Sequence, residues 1–405
     1  MAKGAPGGNL VSEWYGQRIY PEVRVDVTKL TGAHAGECPF LTDALHRSTA
    51  CVKATNSKGV CTISSVSNGP RQDWLVCPLR VINSDIVSRS CRRIFGLDRD
   101  VLPLPVSILK DAAELVKFTA GIAEHGAGYL FFQNKLGGEI SISGTPKSPE
   151  LSFDVTLVEI TLAENGSFAV SRYGILELQT MDYHGTYKKA VDNLSQGLRL
   201  HPRDFARTLK ANLNHWAGEG IEGPNVANVF KRTFYQVLLK FRLSGTAASA
   251  AGTVLALPQS VWDSWQPFLG APEIEDVEPG VQRLVANEKG RDIPDEAQLN
   301  AYICVFDLDA NSDCDVSPVL IKHFVHVSPE RMAQHAFSEV PANMLESVQA
   351  EGSVLARIRL RLANFWPAFK PPRAPRAPKA PKAAGTAGAR KRTKAAPAAA
   401  KKAGE

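Results

Sequence analysis

Long apolar runs are missing from this chain. The opening Met-Ala-Lys-Gly-Ala-Pro-Gly-Gly has charge but no apolar stretch behind it, so it does not read as a secretory signal. No segment is apolar for the length that spans a bilayer. Both absences predict a cytoplasmic protein without membrane contact. Paired-cysteine spacing is missing too. The seven cysteines are odd in number in a large chain that reads as unsignalled, which argues against a disulfide framework. Also absent are a serine nucleophile elbow, a glycine-rich phosphate loop ending in lysine, and a histidine pair at zinc-protease spacing. Those gaps exclude the commoner hydrolase and nucleotide-binding classes. Apart from short Pro-Arg-Ala and Pro-Lys-Ala units near the C-terminus, no internal repeat occurs.

What is present fits a soluble globular protein of 405 residues, with 44% apolar and 22% charged residues. The net charge of +6 is unevenly spread. Residues 367–405 carry eleven Lys and Arg and one acid, leaving 36 basic and 40 acidic residues elsewhere, a net of −4. Proline and charge repulsion predict a disordered polybasic tail over 367–405 that binds polyanions such as DNA. A flexible N-terminus is expected over 1–12.

The chemistry gathers between Asp154 and Ala190. Asp154 lies on an alternating strand, Asn165-Gly166 makes a turn, and Glu177-Leu178-Gln179 follows on a second strand. Period-two alternation puts 177 and 179 on one face and Leu176 and Leu178 on the other. Two acids on paired strands, with a polar residue two places on, can hold a divalent metal against a phosphate. A solvated hairpin is the plainer reading of the same pattern. Glu139, after two glycines, is a possible third acid or a turn residue. Lys188 and Lys189 open the next helix, as an exposed face or a phosphate clamp. His184 and His215 read as surface or core-edge residues.

Cys38, Cys51, Cys61 and Cys77 fall within forty residues. Four thiolates suit zinc or iron. Equally, each could be a buried strand residue, since cysteine is often buried. Cys91, Cys304 and Cys314 read as structural. Elsewhere the pattern predicts a helix or turn and then a strand over 13–27, strands at 59–63 and 74–77 joined by a turn at 67–70, and mostly helix over 81–125. Further helices are expected near 187–198, from Asn225 to Phe241, at 260–262 and over 344–365. Strands are expected at 129–132, 253–257, 302–306 and 319–327, with an irregular surface insertion over 269–298. On the helix after Asn225, an apolar stripe runs through Val226, Val229, Phe230, Thr233, Val237 and Phe241, with Lys231, Arg232, Lys240 and Arg242 off it.

Several blocks resemble the NotI-type restriction endonuclease family. They include Cys38-Pro39-Phe40-Leu41-Thr42, Gly59-Val60-Cys61, Asp73-Trp74-Leu75-Val76-Cys77-Pro78 and Leu136-Gly137-Gly138-Glu139. Tyr173 to Asp182, Phe230 to Gln236 and Pro258 to Trp262 continue the resemblance in order, from about residue 13 to 366. It weakens over 190–220 and 269–300 and excludes the tail. The resemblance implies an α/β fold: a PD-(D/E)xK nuclease core, in its Glu-x-Gln variant, with a mixed sheet flanked by helices. A small N-terminal four-cysteine domain over 13–90 would precede a nuclease and DNA-recognition domain over 91–366. It further implies a homodimeric type II enzyme cutting both strands of double-stranded DNA at a GC-rich palindrome, leaving 5′-phosphates, alongside a cognate DNA methyltransferase. Asp154, Glu177 and the Leu178 carbonyl would hold Mg²⁺, with Gln179 and Glu139 assisting, and the four cysteines would hold one iron, with zinc as the alternative. Lys188, Lys231, Arg232 and Gln236 are DNA-binding candidates. Two other readings use the same residues: a non-catalytic DNA-binding regulator stapled by a metal, and a structure-specific repair nuclease.

Overall fold

The computed structural model describes residues 8–66, 70–82, 85–246, 249–285, 300–309, 311–350 and 354–369. Leu10–Trp14 (β1) and Gln17–Arg18 (β2) form a hairpin whose turn residues, Tyr15 and Gly16, both have positive φ. Such a turn matches the twist of its strands. Of the helix or turn expected after Glu13, the turn is what forms, with a strand following it and a strand rather than a helix leading into it. Pro39–Leu45 (α1) follows, then Val60–Val66 (β3) and Arg71–Leu75 (β4), giving an antiparallel sheet in the order β2-β1-β3-β4. The expected turn at 67–70 falls largely outside the described residues.

Asp85–Phe95 (α2) and Ala112–His125 (α3) account for the helical stretch. Between them Leu104–Pro105 (β5) is a two-residue strand at a sheet edge, where a proline without an N–H is tolerated. Ala127–Gln133 (β6) leads to a separate ribbon of Ile140–Ile142 (β7) and Leu151–Phe153 (β8). Val155–Leu162 (β9) and Phe168–Leu178 (β10) are the predicted hairpin, turning through Asn165 and Gly166. Lys188–Leu200 (α4), Phe205–Ala211 (α5) and Val226–Thr246 (α6) then cross to Ala250–Pro258 (β11), which runs parallel to β10. Gln259–Trp265 (α7) leads on.

The region from 269 is less irregular than expected. Ile274–Glu278 (β12) and Val281–Leu284 (β13) form a hairpin at the sheet's far edge, and 286–299 lie outside the described residues. Ala301–Leu308 (β14) and Val319–His326 (β15) complete a nine-stranded mixed sheet, β12-β13-β15-β14-β11-β10-β9-β6-β5. Pro329–Gln334 (α8) and Val340–Ala350 (α9) follow. The chain forms one compact unit to Leu345 and a second from Glu346. In the second, Val354–Leu362 (α10) carries Arg357, Arg359 and Arg361. The helix expected over 344–365 is therefore represented by α9 and α10. The polybasic tail lies outside the described residues beyond Phe369.

Alternation along the central strands builds two apolar layers. On one face Leu255, Leu257, Ile303 and Val305 meet Val237 and Phe241 of α6 and Trp262 and Trp265 of α7. On the other, Leu176, Leu178, Val254 and Ala256 meet Ile86, Val87, Cys91 and Ile94 of α2. Each buried Leu, Ile, Val or Phe among them contributes about 1.5–3 kcal/mol by leaving water. The small sheet does not stand apart. Val11, Trp14 and Ile63 belong to the first layer, while Cys38, Cys61 and Cys77 belong to the second. A boundary near residue 90 therefore does not divide the core. Cys91 and Cys304 are buried, in keeping with a structural role, whereas Cys314 is exposed.

Candidate active site

Because Leu176 and Leu178 are drawn into the α2 layer, Glu177 between them points to the opposite side, toward α6. Val155 pairs with Leu176, so Asp154, between β8 and β9, comes beside Glu177. Two backbone contacts lock the acids together. Asp154 Oδ2 accepts from the Leu178 N–H at 3.0 Å, and the Asp154 N–H donates to Glu177 Oε1 at 3.3 Å. Asp154 is exposed and Glu177 is 8% exposed. Burial, then the neighbouring Asp154 charge, push the Glu177 carboxyl up to about 7, against the pull of Lys240.

Lys240 is where the apolar-stripe reading fails, because a seven-residue step from Thr233 of that stripe returns to the same helix face. It was expected off the packed face of α6, yet it is 3% exposed, and its Nζ donates to Glu177 Oε2 at 2.5 Å. A buried ammonium needs a counter-charge, and Glu177 supplies it. The available signal was a single cation inside the apolar run Val237-Leu238-Leu239-Lys240-Phe241. Gln179 is also held by α6. The Thr233 hydroxyl donates to its Oε1, while its Nε2 donates to the Thr180 carbonyl.

These groups line a cavity of about 270 Å³, which Glu139, Glu150 and Gln236 also border. Glu139 is exposed and accepts from Asn134 Nδ2 at 3.4 Å. It enters the rim through Gly137, at φ +111, where a Cβ would stand 2.0 Å from Val106 Cγ1. Only glycine fits that approach. Glu150, from the β7–β8 ribbon, was not singled out in the sequence. Of the DNA-binding candidates only Gln236 borders the cavity. Lys188, Lys231 and Arg232 are exposed outside it, with Lys188 paired to Asp192 at 2.5 Å and Arg232 paired to Asp182.

The four early cysteines share one neighbourhood. Cys38 feels the charges of Cys77 and Cys51, and Cys61 that of Cys77. Burial pushes the Cys38 thiol up to about 11 and Cys61 well above its ordinary value. Each sulfur nonetheless meets a backbone N–H: Phe40 and Leu41 at Cys38, Gly59 at Cys51 (3.4 Å), Gly16 at Cys61, Leu79 and Arg80 at Cys77. Lys53 Nζ donates to the carbonyls of Val60 and Val76, the residues just before Cys61 and Cys77. N–H donors stabilise thiolates, and a bound cation would deprotonate these thiols outright. Thiolate donors are the type a soft ion takes, but among the described residues the four sulfurs are not gathered into a ligand set.

Among the described residues, no group of three or more His, Cys, Asp or Glu side chains is arranged to hold a metal ion. At the acid pair, one or two carboxylates are the usual protein share of a Mg²⁺ shell, with water and phosphate completing it. No helix among the described residues is long and apolar enough to cross a membrane. No protein-family model matches this sequence, and no curated protein matches it.

Proposed function

We propose that this chain is a Mg²⁺-dependent type II restriction endonuclease that hydrolyses both strands of double-stranded DNA at a specific GC-rich palindrome. The observation that carries the reading is the meeting of Asp154, Glu177 and Lys240 in one polar cavity at the ends of paired strands. The large mixed sheet flanked by helices is compatible with a PD-(D/E)xK nuclease core. Two-fold symmetry in a homodimer would match a two-fold DNA site, one active site per strand. A cognate methyltransferase belongs to the same proposal. The four cysteines would hold one iron, or zinc, bracing the segments around Cys38 and Cys77.

Asp154, Glu177 and the Leu178 carbonyl would hold the Mg²⁺, which when bound polarises the phosphate and acidifies a water. The chain's own task is geometric. The Leu178 N–H fixes the Asp154 carboxylate, and α6 fixes residues 177 and 179, so the acids meet the phosphate without reorganising. Water oxygen bonds to phosphorus in line as the P–O3′ bond breaks. The 3′-oxygen leaves and gains a proton, giving a 3′-hydroxyl and a 5′-phosphate.

A plasmid and genomic-DNA cleavage assay tests the reading. Asp154→Ala and Glu177→Ala should each abolish cutting while leaving DNA binding in place. Full cutting by both variants would remove the assignment.

A further inference from the structure

The cavity is short of positive charge. Four carboxylates border it, Glu139, Glu150, Asp154 and Glu177, and Lys240 is the one cation among its described lining residues. A phosphate diester entering such a site meets net repulsion unless cations offset it. Gln179 cannot do so. It is uncharged, its Oε1 is taken by Thr233, and its Nε2 is engaged with the Thr180 carbonyl. It acts as a strut between β10 and α6.

Helix α6 runs antiparallel to the end of β10. Thr233 reaches residue 179 and Lys240, seven residues on and two turns along the same face, reaches residue 177. Lys240 Nζ makes its hydrogen bond to Glu177 Oε2, and an ammonium carries three N–H donors. Donor capacity remains for a second acceptor. Phe153, whose ring centre lies 5.9 Å from Nζ, limits water around it.

We propose that Lys240 is the cationic catalytic residue of this site, paired with Glu177 in the free protein and donating to a non-bridging oxygen of the scissile phosphate when DNA is bound. The inference rests on the nuclease reading above. It assigns to α6 the charge that the Glu-x-Gln strand lacks. Negative charge grows on the phosphate oxygens as the P–O3′ bond breaks, and a fixed ammonium in a dry site counters it.

The test moves the charge. Cleavage of sequenced genomic DNA is measured with wild type, Lys240→Met, Lys240→Arg and the double variant Lys240→Met/Gln179→Lys, all full length, with thermal melts alongside. Loss of one such electrostatic partner costs about 10²–10³-fold in rate. We expect that loss in Lys240→Met, partial activity in Lys240→Arg, and recovery to within about tenfold of wild type in the double variant. Recovery separates the role from a structural one, because a lysine at 179 restores charge to the cavity without restoring the α6 contact. Cutting by Lys240→Met at the wild-type rate would overturn the proposal. So would a well-folded double variant as inactive as Lys240→Met. If Lys240→Met does not fold, Lys240→Arg decides, and wild-type binding with less than a thousandth of the activity would count against it. A wild type that cuts no DNA would instead sink the nuclease reading itself.

Discussion

The buried pair Glu13–Arg80 fastens the small sheet and the Cys77 turn to the body of the protein, and its removal has a calculable cost. Both side chains are at most 5% exposed. Arg80 Nε donates to Glu13 Oε2 at 2.7 Å and Nη2 to Oε1 at 3.0 Å, while the Ser317 N–H donates to Oε1 at 2.9 Å and Arg80 reaches the Ser317 carbonyl. Burial alone would raise the Glu13 carboxyl; Arg80 and Ser317 outweigh it and hold the group below its ordinary value. Arg80→Met strands that carboxylate in the core. Breaking one side of a buried pair costs about 3–5 kcal/mol, a large share of the roughly 5–15 kcal/mol by which domains are stable. Glu13→Leu with Arg80→Met removes both charges and should regain most of the loss. The pH dependence has a definite sign. In wild type the depressed carboxyl contributes stability above its unfolded pKa, near 4.5, and that contribution fades as pH falls through the lower folded value. In Arg80→Met burial wins, the folded carboxyl titrates above 4.5, and the deficit shrinks as pH falls toward that range. Urea unfolding at pH 8 and pH 5 reads both effects. A deficit under about 1 kcal/mol at pH 8, or one that grows on acidification, would refute the reasoning.

Other consequences are equally direct. Gly137→Ala forces a Cβ against Val106 and strains a left-handed residue, so it should cost about 1–3 kcal/mol in unfolding assays and displace Glu139 from the cavity rim, lowering cleavage. Protein purified under oxidising conditions should show thiolate-to-iron charge-transfer absorption, lost in Cys38→Ser or Cys77→Ser. A colourless protein with one zinc per chain would favour the zinc alternative.

Much of the hairpin was legible because strand chemistry is local. Leu176 and Leu178 against Glu177 and Gln179 follow from a period of two, and Asn165-Gly166 marks the turn that pairs the strand beginning just after Asp154 with Glu177's, although Asp154 itself sits at a bend rather than on the expected strand. Lys240 was half legible: its seven-residue step from Thr233 puts it on the packed face, but the reading sorted residues by apolarity, and the charge that pairs with it lies 63 residues away. The Glu13–Arg80–Ser317 network was hidden for the same reason, its partners being 67 and 304 residues from Glu13. At Tyr15-Gly16 a turn was one of two expectations, but the strand Leu10–Trp14 before it was not legible, because all five of its residues are buried and no alternation marks it. The β12–β13 hairpin escaped notice because its strand is exposed and acidic on an edge, where no core imposes alternation.

The central claim is Mg²⁺-dependent cutting at a fixed site. Digesting a sequenced GC-rich genome with the purified full-length protein, with and without Mg²⁺, and sequencing the fragment ends tests it most directly. The account predicts ends that share one palindromic sequence, carry 5′-phosphates, and appear only with the metal. Intact DNA, or ends at unrelated sequences, would contradict it.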